Sequence, residues 1–295
     1  YFDKTTIHRT YQLPKLFPTP EHKNLVICVS GVGASKEFSS LMTDCVPDLQ
    51  VLFNGQCFPL YYYEKVDAEQ MNLFDQGKGE YIRRDAVSDF IHERAREMYG
   101  PKTTKEDIFF YVYGLLHSPE YRTRFSADLK KMLPRIPLVD EPKDFKAFSK
   151  AGRALAELHL KYETHPAWES ILVKGAESGH YHVEKMKFAK MYDEESKKNV
   201  DDKRKFHFNT HITIENIPQE AYEYVVNGKS AIEWIMERYQ VTVNKESQIR
   251  NDPNDWAKEH NQPRYILDLL LSIITLSMKT LSIVKSLPTL KLENK

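Results

Sequence analysis

The chain has 295 residues and equal numbers of acidic and basic side chains, so its formal net charge is zero. That excludes a global electrostatic pull toward nucleic acid, and any DNA-binding face must be a local patch offset by acid elsewhere. Hydrophobic content of 41% and charged content of 28% fit a folded chain, and three cysteines without a CxxC pair argue against a disulfide framework or a zinc ribbon and for a reducing cytoplasm.

The chain begins at Tyr1 with no signal-peptide pattern and reads as a fragment of something longer. NLVICVS, from Asn24 to Ser30, predicts a buried strand. It runs into GVGAS, and KEFSSLMTD is compatible with a short helix. QVLFNG and FPLYYYE, from Gln50 to Glu64, read as strands rich in β-formers. AVSDFIHERAREMYG predicts a helix from Ala86 that ends at Gly100-Pro101. In TKEDIFFYVYGLLHS, Thr104 stands as N-cap with Asp107 in the capping-box position. Ser118-Pro119 then restarts a helix, since Ser caps well and Pro loses no hydrogen bond in a first turn. Tyr121, Phe125, Leu129 and Met132 form one apolar stripe of that second helix. Pro134 ends it, PRIP is extended, and a third helix is expected over about 144–162.

From residue 170 the pattern becomes alternating. GHYHVEKMKFAKMY and KFHFNTHITIEN both read as strands, with a charged loop between them. SAIEWIMERYQ predicts a helix from Ser230, and NDPND is a turn. Ile266–Val284 is apolar, but Asp268, Lys279 and five Ser or Thr residues interrupt it, so a buried helix is expected rather than a membrane span. The order is β-rich over 1–85, helical over 86–165, β-rich over 166–245, then a C-terminal helix over 264–286. No regular βαβ repeat appears. The expected class is α+β in a single domain, with mostly antiparallel β regions, a helical insertion around 104–162 and a buried C-terminal helix.

Several chemistries lack their motifs. GVGASK has neither the GxxxxGK[ST] nor the GxGxxG spacing and reads as a strand-to-helix turn. No GxSxG elbow, HExxH or EF-hand loop occurs, so no catalytic residue and no metal ligand is assigned. His180, His182, His207 and His211 would form a metal cluster only if their two strands paired and the rings converged. Exposed strand histidines are the other reading.

Binding chemistry concentrates in KFHFNTHITI. As one strand it places Phe206, Phe208, Thr210, Ile212 and Ile214 on one face and His207, Asn209, His211 and Thr213 on the other. Asn pairs with adenine through two hydrogen bonds, and His and Thr donate or accept at base edges. Between 185 and 205 lie eight basic residues against five acids. Lys185, Lys187, Lys190, Lys203, Arg204 and Lys205 are therefore candidates for phosphates, beside the base-reading face. A solvated sheet face with a charged hairpin is the alternative.

FFYVYGLLHSPEYRTRFSADLKKMLPRIPL resembles the LHSPxYR…LPRIP segment of the C-terminal specificity domain of Type ISP restriction-modification enzymes. FPLYYYE, FNTHITIENIPQEAYEYVVNGKSAIEWIMERYQV and NDPNDW fit that family in the same order. The resemblance implies a target-recognition domain for double-stranded DNA. In a full-length chain it would follow a nuclease, a helicase-like motor and an adenine methyltransferase. ATP, Mg and S-adenosylmethionine would then serve those other parts, and the preceding methyltransferase domain would be a partner within the chain. The absence of a Walker A loop and of an NPPY or DPPY tetrapeptide agrees with a non-enzymatic fragment. In VNKESQIRNDPN the chain has Gln248 where the family resemblance leads one to expect glycine. Two other functions stay open: a docking scaffold without base readout, and a metal-dependent hydrolase built on the four histidines.

Overall fold

The computed structural model describes residues 13–48, 51–66 and 80–292. The class is α+β, and every strand pairing among the described residues is antiparallel. The chain forms two compact units, Tyr1–Leu160 with Ile283–Lys295, and Lys161–Ser282.

Among the described residues of the first unit, the first element is a short helix, α1 (Leu13–Leu16). Strand β1 (Val26–Val29) is buried along its whole length. It is the centre of a three-stranded sheet, flanked by β2 (Ser40–Thr43) and β3 (Gln56–Pro59). The helix anticipated after GVGAS is instead a turn leading into β2. Ser30 and Ser39 close that turn, Ser30 N donating to Ser39 O at 3.0 Å and Ser39 N donating to Ser30 Oγ at 2.9 Å. QVLFNG also differs from expectation. Phe53 and Asn54 sit at φ of 53° and 55°, which strands do not use, so the described part is a turn. Gln50, and residues 1–12 and 67–79 of the anticipated β-rich region, lie outside the described residues. β4 (Tyr61–Lys65) pairs with β5 (Tyr81–Asp85).

The helices follow their caps. α2 (Asp89–Tyr99) starts after Ser88, three residues later than hydrophobic pattern alone suggests. α3 (Lys105–Leu116) has the Thr104–Asp107 capping box, and α4 (Pro119–Arg124) has Ser118 as N-cap with Pro in its first turn. The stripe after Ser118 does not run through one helix. The backbone leaves helical geometry at Phe125 (φ −106°, ψ 17°), and α5 (Ser126–Leu129) is a separate turn. Tyr121 and Leu129 are buried, Phe125 is half-buried and Met132 is exposed. α6 (Pro142–Leu160) completes the set.

Two devices hold this unit. The first is a close crossing of α3 and α6. A Cβ on Gly152 would lie 1.8 Å from Phe110 O, and one on Gly114 would lie 2.2 Å from Phe148 O, so only hydrogen fits at either position. The second is a row of tyrosine hydroxyls on the extended PRIPLV segment. Tyr121 donates to Arg135 O at 2.8 Å, Tyr111 to Pro137 O at 2.6 Å and Tyr99 to Val139 O at 2.6 Å. Three helices thus take alternate carbonyls of a segment that, with two prolines, has few donors of its own. Burial raises all three phenol pKa values, that of Tyr121 to about 12.

The second unit is built on a four-stranded sheet in the order β6 (Leu172–Lys174), β9 (Thr213–Glu215), β8 (Lys198–His207), β7 (Lys187–Asp193). β10 (Val225–Val226) and β11 (Lys229–Ser230) form a hairpin over Asn227 and Gly228, at φ of 51° and 76°, the Asn-Gly turn that right-twisted hairpins favour. α7 (Ala231–Arg238) starts on the Ser230–Glu233 capping box. β12 (Thr242–Val243) pairs with β13 (Arg250–Asn251), and α8 (Asn254–Glu259) begins just after Pro253. α9 (Tyr265–Lys285) is long and apolar enough to cross a membrane by composition, yet 67% of its most apolar window is buried in the fold. Its hydroxyls explain the interruptions. Ser272 donates to Tyr162 O and accepts from His165 N, while Thr275 donates to Pro166 O. They satisfy a connecting segment that makes no ladder of its own.

Candidate nucleic-acid interface

KFHFNTHITI is not one strand. β8 ends at His207, the chain turns over 208–212, and β9 starts at Thr213. Phe208 N donates to Ile212 O at 3.0 Å and closes the turn. Asn209 organises it. Its Oδ1 accepts from His211 N at 2.8 Å and Ile212 N at 2.7 Å, and its Nδ2 donates to His180 O at 2.7 Å and His182 O at 3.0 Å. The amide's two donors and two acceptor positions are all used by backbone. Asn209 is therefore a turn-former that pins the 180–182 segment, which corrects its place on a free polar strand face. Sequence alternation also put Thr210 with the apolar set, whereas it is exposed at the turn. Phe206, Phe208, Ile212 and Ile214 are fully buried, as alternation indicated.

The turn brings two of the candidates together by cross-strand pairing. His207 stands opposite Thr213, with Nδ1 3.1 Å from Thr213 Oγ1. Opposite His207 on the other side is Lys187, and opposite Thr213 is Lys174. One row therefore crosses all four strands: Lys187, His207, Thr213, Lys174. The next row, Phe188, Phe206, Ile214 and Val173, lies on the other face, where Phe206 and Ile214 are fully buried. With strands about 4.8 Å apart, the row is roughly 14 Å long from lysine to lysine. Lys174 was not among the sequence candidates. The signal for it is the pairing register, which a single strand pattern does not contain.

Most of the basic candidates have acid partners. Lys190 meets Asp201 at 2.6 Å, Lys203 meets Glu233 at 3.2 Å, Arg204 meets Asp202 at 3.0 Å and Lys205 meets Glu215 at 2.8 Å. Lys174 shares Glu215, at 2.7 Å. The hydrogen bonds from Lys174 and Lys205 hold the Glu215 carboxyl below its ordinary pKa, and the Arg204 hydrogen bond does the same for Asp202. These lysines and Arg204 are well exposed, so solvent screens each pair and it contributes little to stability. Among the described residues Lys185 and Lys187 have no acid partner.

The four histidines do not converge. The His180 and His211 rings stack 4.4 Å apart, His182 meets Glu184 at 3.3 Å, and His207 is held by Thr213. Among the described residues no group of three or more His, Cys, Asp or Glu is placed to hold a metal. Arg250, 2.9 Å from Asp252 and 3.9 Å from Glu184, joins the β12–β13 hairpin to the histidine edge. In that hairpin Gln248 has φ of 56°, the left-handed conformation that glycine adopts without cost. The turn keeps a glycine-type backbone although a side chain occupies it. Elsewhere, GVGASK lacks the strand-loop-helix setting of a phosphate loop: β1 returns as β2, with no helix between them.

One face of the four-stranded sheet thus carries a polar row and the other an apolar row, beside a hairpin rich in lysine. The Type ISP C-terminal specificity domain matches residues 1–269. The chain belongs to that family. It is similar over 99% of its length to LlaBIII, an ATP-dependent Type ISP restriction-modification enzyme solved bound to DNA, with 37% identity and a TM-score of 0.80. It is similar over 96% to a nuclease-deletion mutant of the Type ISP enzyme LlaGI in complex with a DNA substrate mimic, with 36% identity and a TM-score of 0.73. A DrdV–DNA complex matches over 99%, with 29% identity and a TM-score of 0.77. The chain spans 18%, 23% and 27% of those three proteins. No match was found among curated proteins.

Proposed function

We propose that this chain is the part of a Type ISP restriction-modification enzyme that recognises the target sequence in double-stranded DNA. The observation that carries the reading is the Lys187–His207–Thr213–Lys174 row. A major groove is about 12 Å wide, so lysines roughly 14 Å apart reach phosphates on both of its edges. His207 and Thr213, between them, then face base edges. Phosphate contacts set the register and base contacts set the sequence. Lys185, Lys190, Lys203, Arg204 and Lys205 extend the phosphate-binding side by exchanging surface acids for phosphates. Asn209 and His211 shape the turn that positions Thr213. The solved relatives being DNA complexes supports the same partner.

In the longer protein this module would direct an adenine methyltransferase and an ATP-dependent translocase and nuclease in the cytoplasm. ATP, Mg and S-adenosylmethionine would act in those other parts. The docking-scaffold reading needs no exposed polar row, and the hydrolase reading needs convergent histidines.

The test is binding to the specific duplex and to scrambled DNA across salt. Lys187→Ala and Lys174→Ala should each weaken both duplexes alike and reduce the salt slope by about one. His207→Ala should instead reduce discrimination between the two duplexes, by about 1–3 kcal/mol at one base pair. Equal loss on both duplexes for His207→Ala would show that the row only holds the backbone.

A further inference from the structure

We propose that Cys28 and Cys57 form an oxidation site, in which a peroxide converts the two thiols to a cross-strand disulfide. The two residues stand directly opposite each other on β1 and β3, with sulfurs 3.6 Å apart. A disulfide needs about 2.05 Å, a gap that side-chain rotation can close when the strands are already in register. The register is fixed locally. Gly31 N donates to Phe53 O at 3.3 Å, and a Cβ on Gly31 would lie 2.0 Å from Asn54 O, so the turn into β3 is held hard against the end of β1.

The two sulfurs differ in exposure. Cys57 is exposed on β3, at the edge of its sheet, while Cys28 is buried on the central strand. Peroxide therefore meets Cys57 first. The hydrogen bond from Cys28 lowers the Cys57 pKa and favours its thiolate, the nucleophilic form, while the same bond and burial keep Cys28 protonated. The Cys57 thiolate attacks one peroxide oxygen, the O–O bond breaks, and the other oxygen leaves as water after taking a proton. Cys57 is oxidised to a sulfenic acid and the peroxide is reduced. The Cys28 sulfur then attacks the Cys57 sulfur. The S–S bond forms, the S–O bond breaks, and the hydroxyl leaves as a second water with the Cys28 proton. Cys45 is the internal comparison: it is also exposed, but its sulfur lies 3.2 Å from the Thr43 hydroxyl.

The experiment treats the folded chain with hydrogen peroxide, blocks residual thiols, and maps modified cysteines by mass spectrometry with and without dithiothreitol. The expected result is loss of two of the three free thiols, a Cys28–Cys57 linked peptide, and full return of both thiols on reduction. Cys45→Ser should form the same link. Cys28→Ser should leave Cys57 as a sulfenic acid that dimedone traps, and its thermal melt beside the parent shows that the strand is intact. A link involving Cys45, or overoxidation of Cys57 with Cys28 untouched in the parent, would overturn the proposal.

Discussion

The two units solve the problem of holding extended chain in opposite ways. In the first, buried tyrosines carry single hydroxyls into an apolar core and spend each on one carbonyl of the 135–139 segment. In the second, one side chain near the surface, Asn209, serves four backbone groups and leaves Thr210 and His211 exposed. The first arrangement gives rigidity through packing and the second gives a shaped polar edge. A recognition surface needs the second kind, because its side chains must remain available.

The crossing of α3 and α6 offers the sharpest break. Gly152→Ala drives a methyl group into backbone and should destabilise the first unit by about 3 kcal/mol, the upper end for overpacking. Urea melts followed by hydrogen exchange should place the loss in the first unit alone. If the second unit lost equal protection, the two would not be independent.

Asn209→Ala comes next. It strips partners from four backbone groups at a partly buried turn and should cost about 2 kcal/mol, confined to the second unit. Asn209→Asp keeps the two accepted bonds but turns a carboxylate oxygen toward the His180 and His182 carbonyls, which Nδ2 now serves, so it should recover little of the loss. Unchanged stability with altered DNA preference would return Asn209 to the role of a base reader.

The tyrosine row gives a smaller effect with a pH signature. Tyr121→Phe should cost about 1 kcal/mol at neutral pH. Burial raises the folded pKa of Tyr121 to about 12, above the unfolded value near 10. The folded chain then holds more protons, so this contribution is whole below pH ~10 and is lost as pH rises through about 12. Alkaline unfolding monitored by tyrosine absorbance should be less steep in the variant. His117 works at the other end. Burial holds its pKa well below 6.5, so its contribution is present above that value and is lost on acidification.

The smallest expected change is a gain. Gln248→Gly relieves a side chain at φ 56° and should raise stability by roughly 0.5–1 kcal/mol, read as a shift in the second unit's melting midpoint.

Local signals in the sequence carried far. Ser118-Pro119 and Thr104–Asp107 placed two helix starts to the residue, because caps act within one turn. What was not legible depends on distant partners. Asn209 looked like one of four equivalent polar positions, and only the return of the 180–182 segment shows that its amide is occupied. Lys174 entered the candidate row through the register of β6 on β9, forty residues away in the chain by order of magnitude. The stripe from Tyr121 to Met132 kept helical spacing, yet Phe125 broke it. Periodicity records which residues prefer burial, not whether the backbone between them stays regular.

The tyrosine row also implies an uneven tolerance to substitution. Its donors are side chains and its acceptors are main chain. Every amino acid presents a carbonyl, proline included, so as far as these bonds are concerned positions 135 and 137 are open to replacement. Positions 99, 111 and 121 are narrower, because the core needs an aromatic ring there and only tyrosine also reaches the carbonyl. A library randomised at all five sites should therefore recover varied acceptor residues and donors drawn from tyrosine first and phenylalanine second, so that the helices keep the grip while the strip they hold drifts.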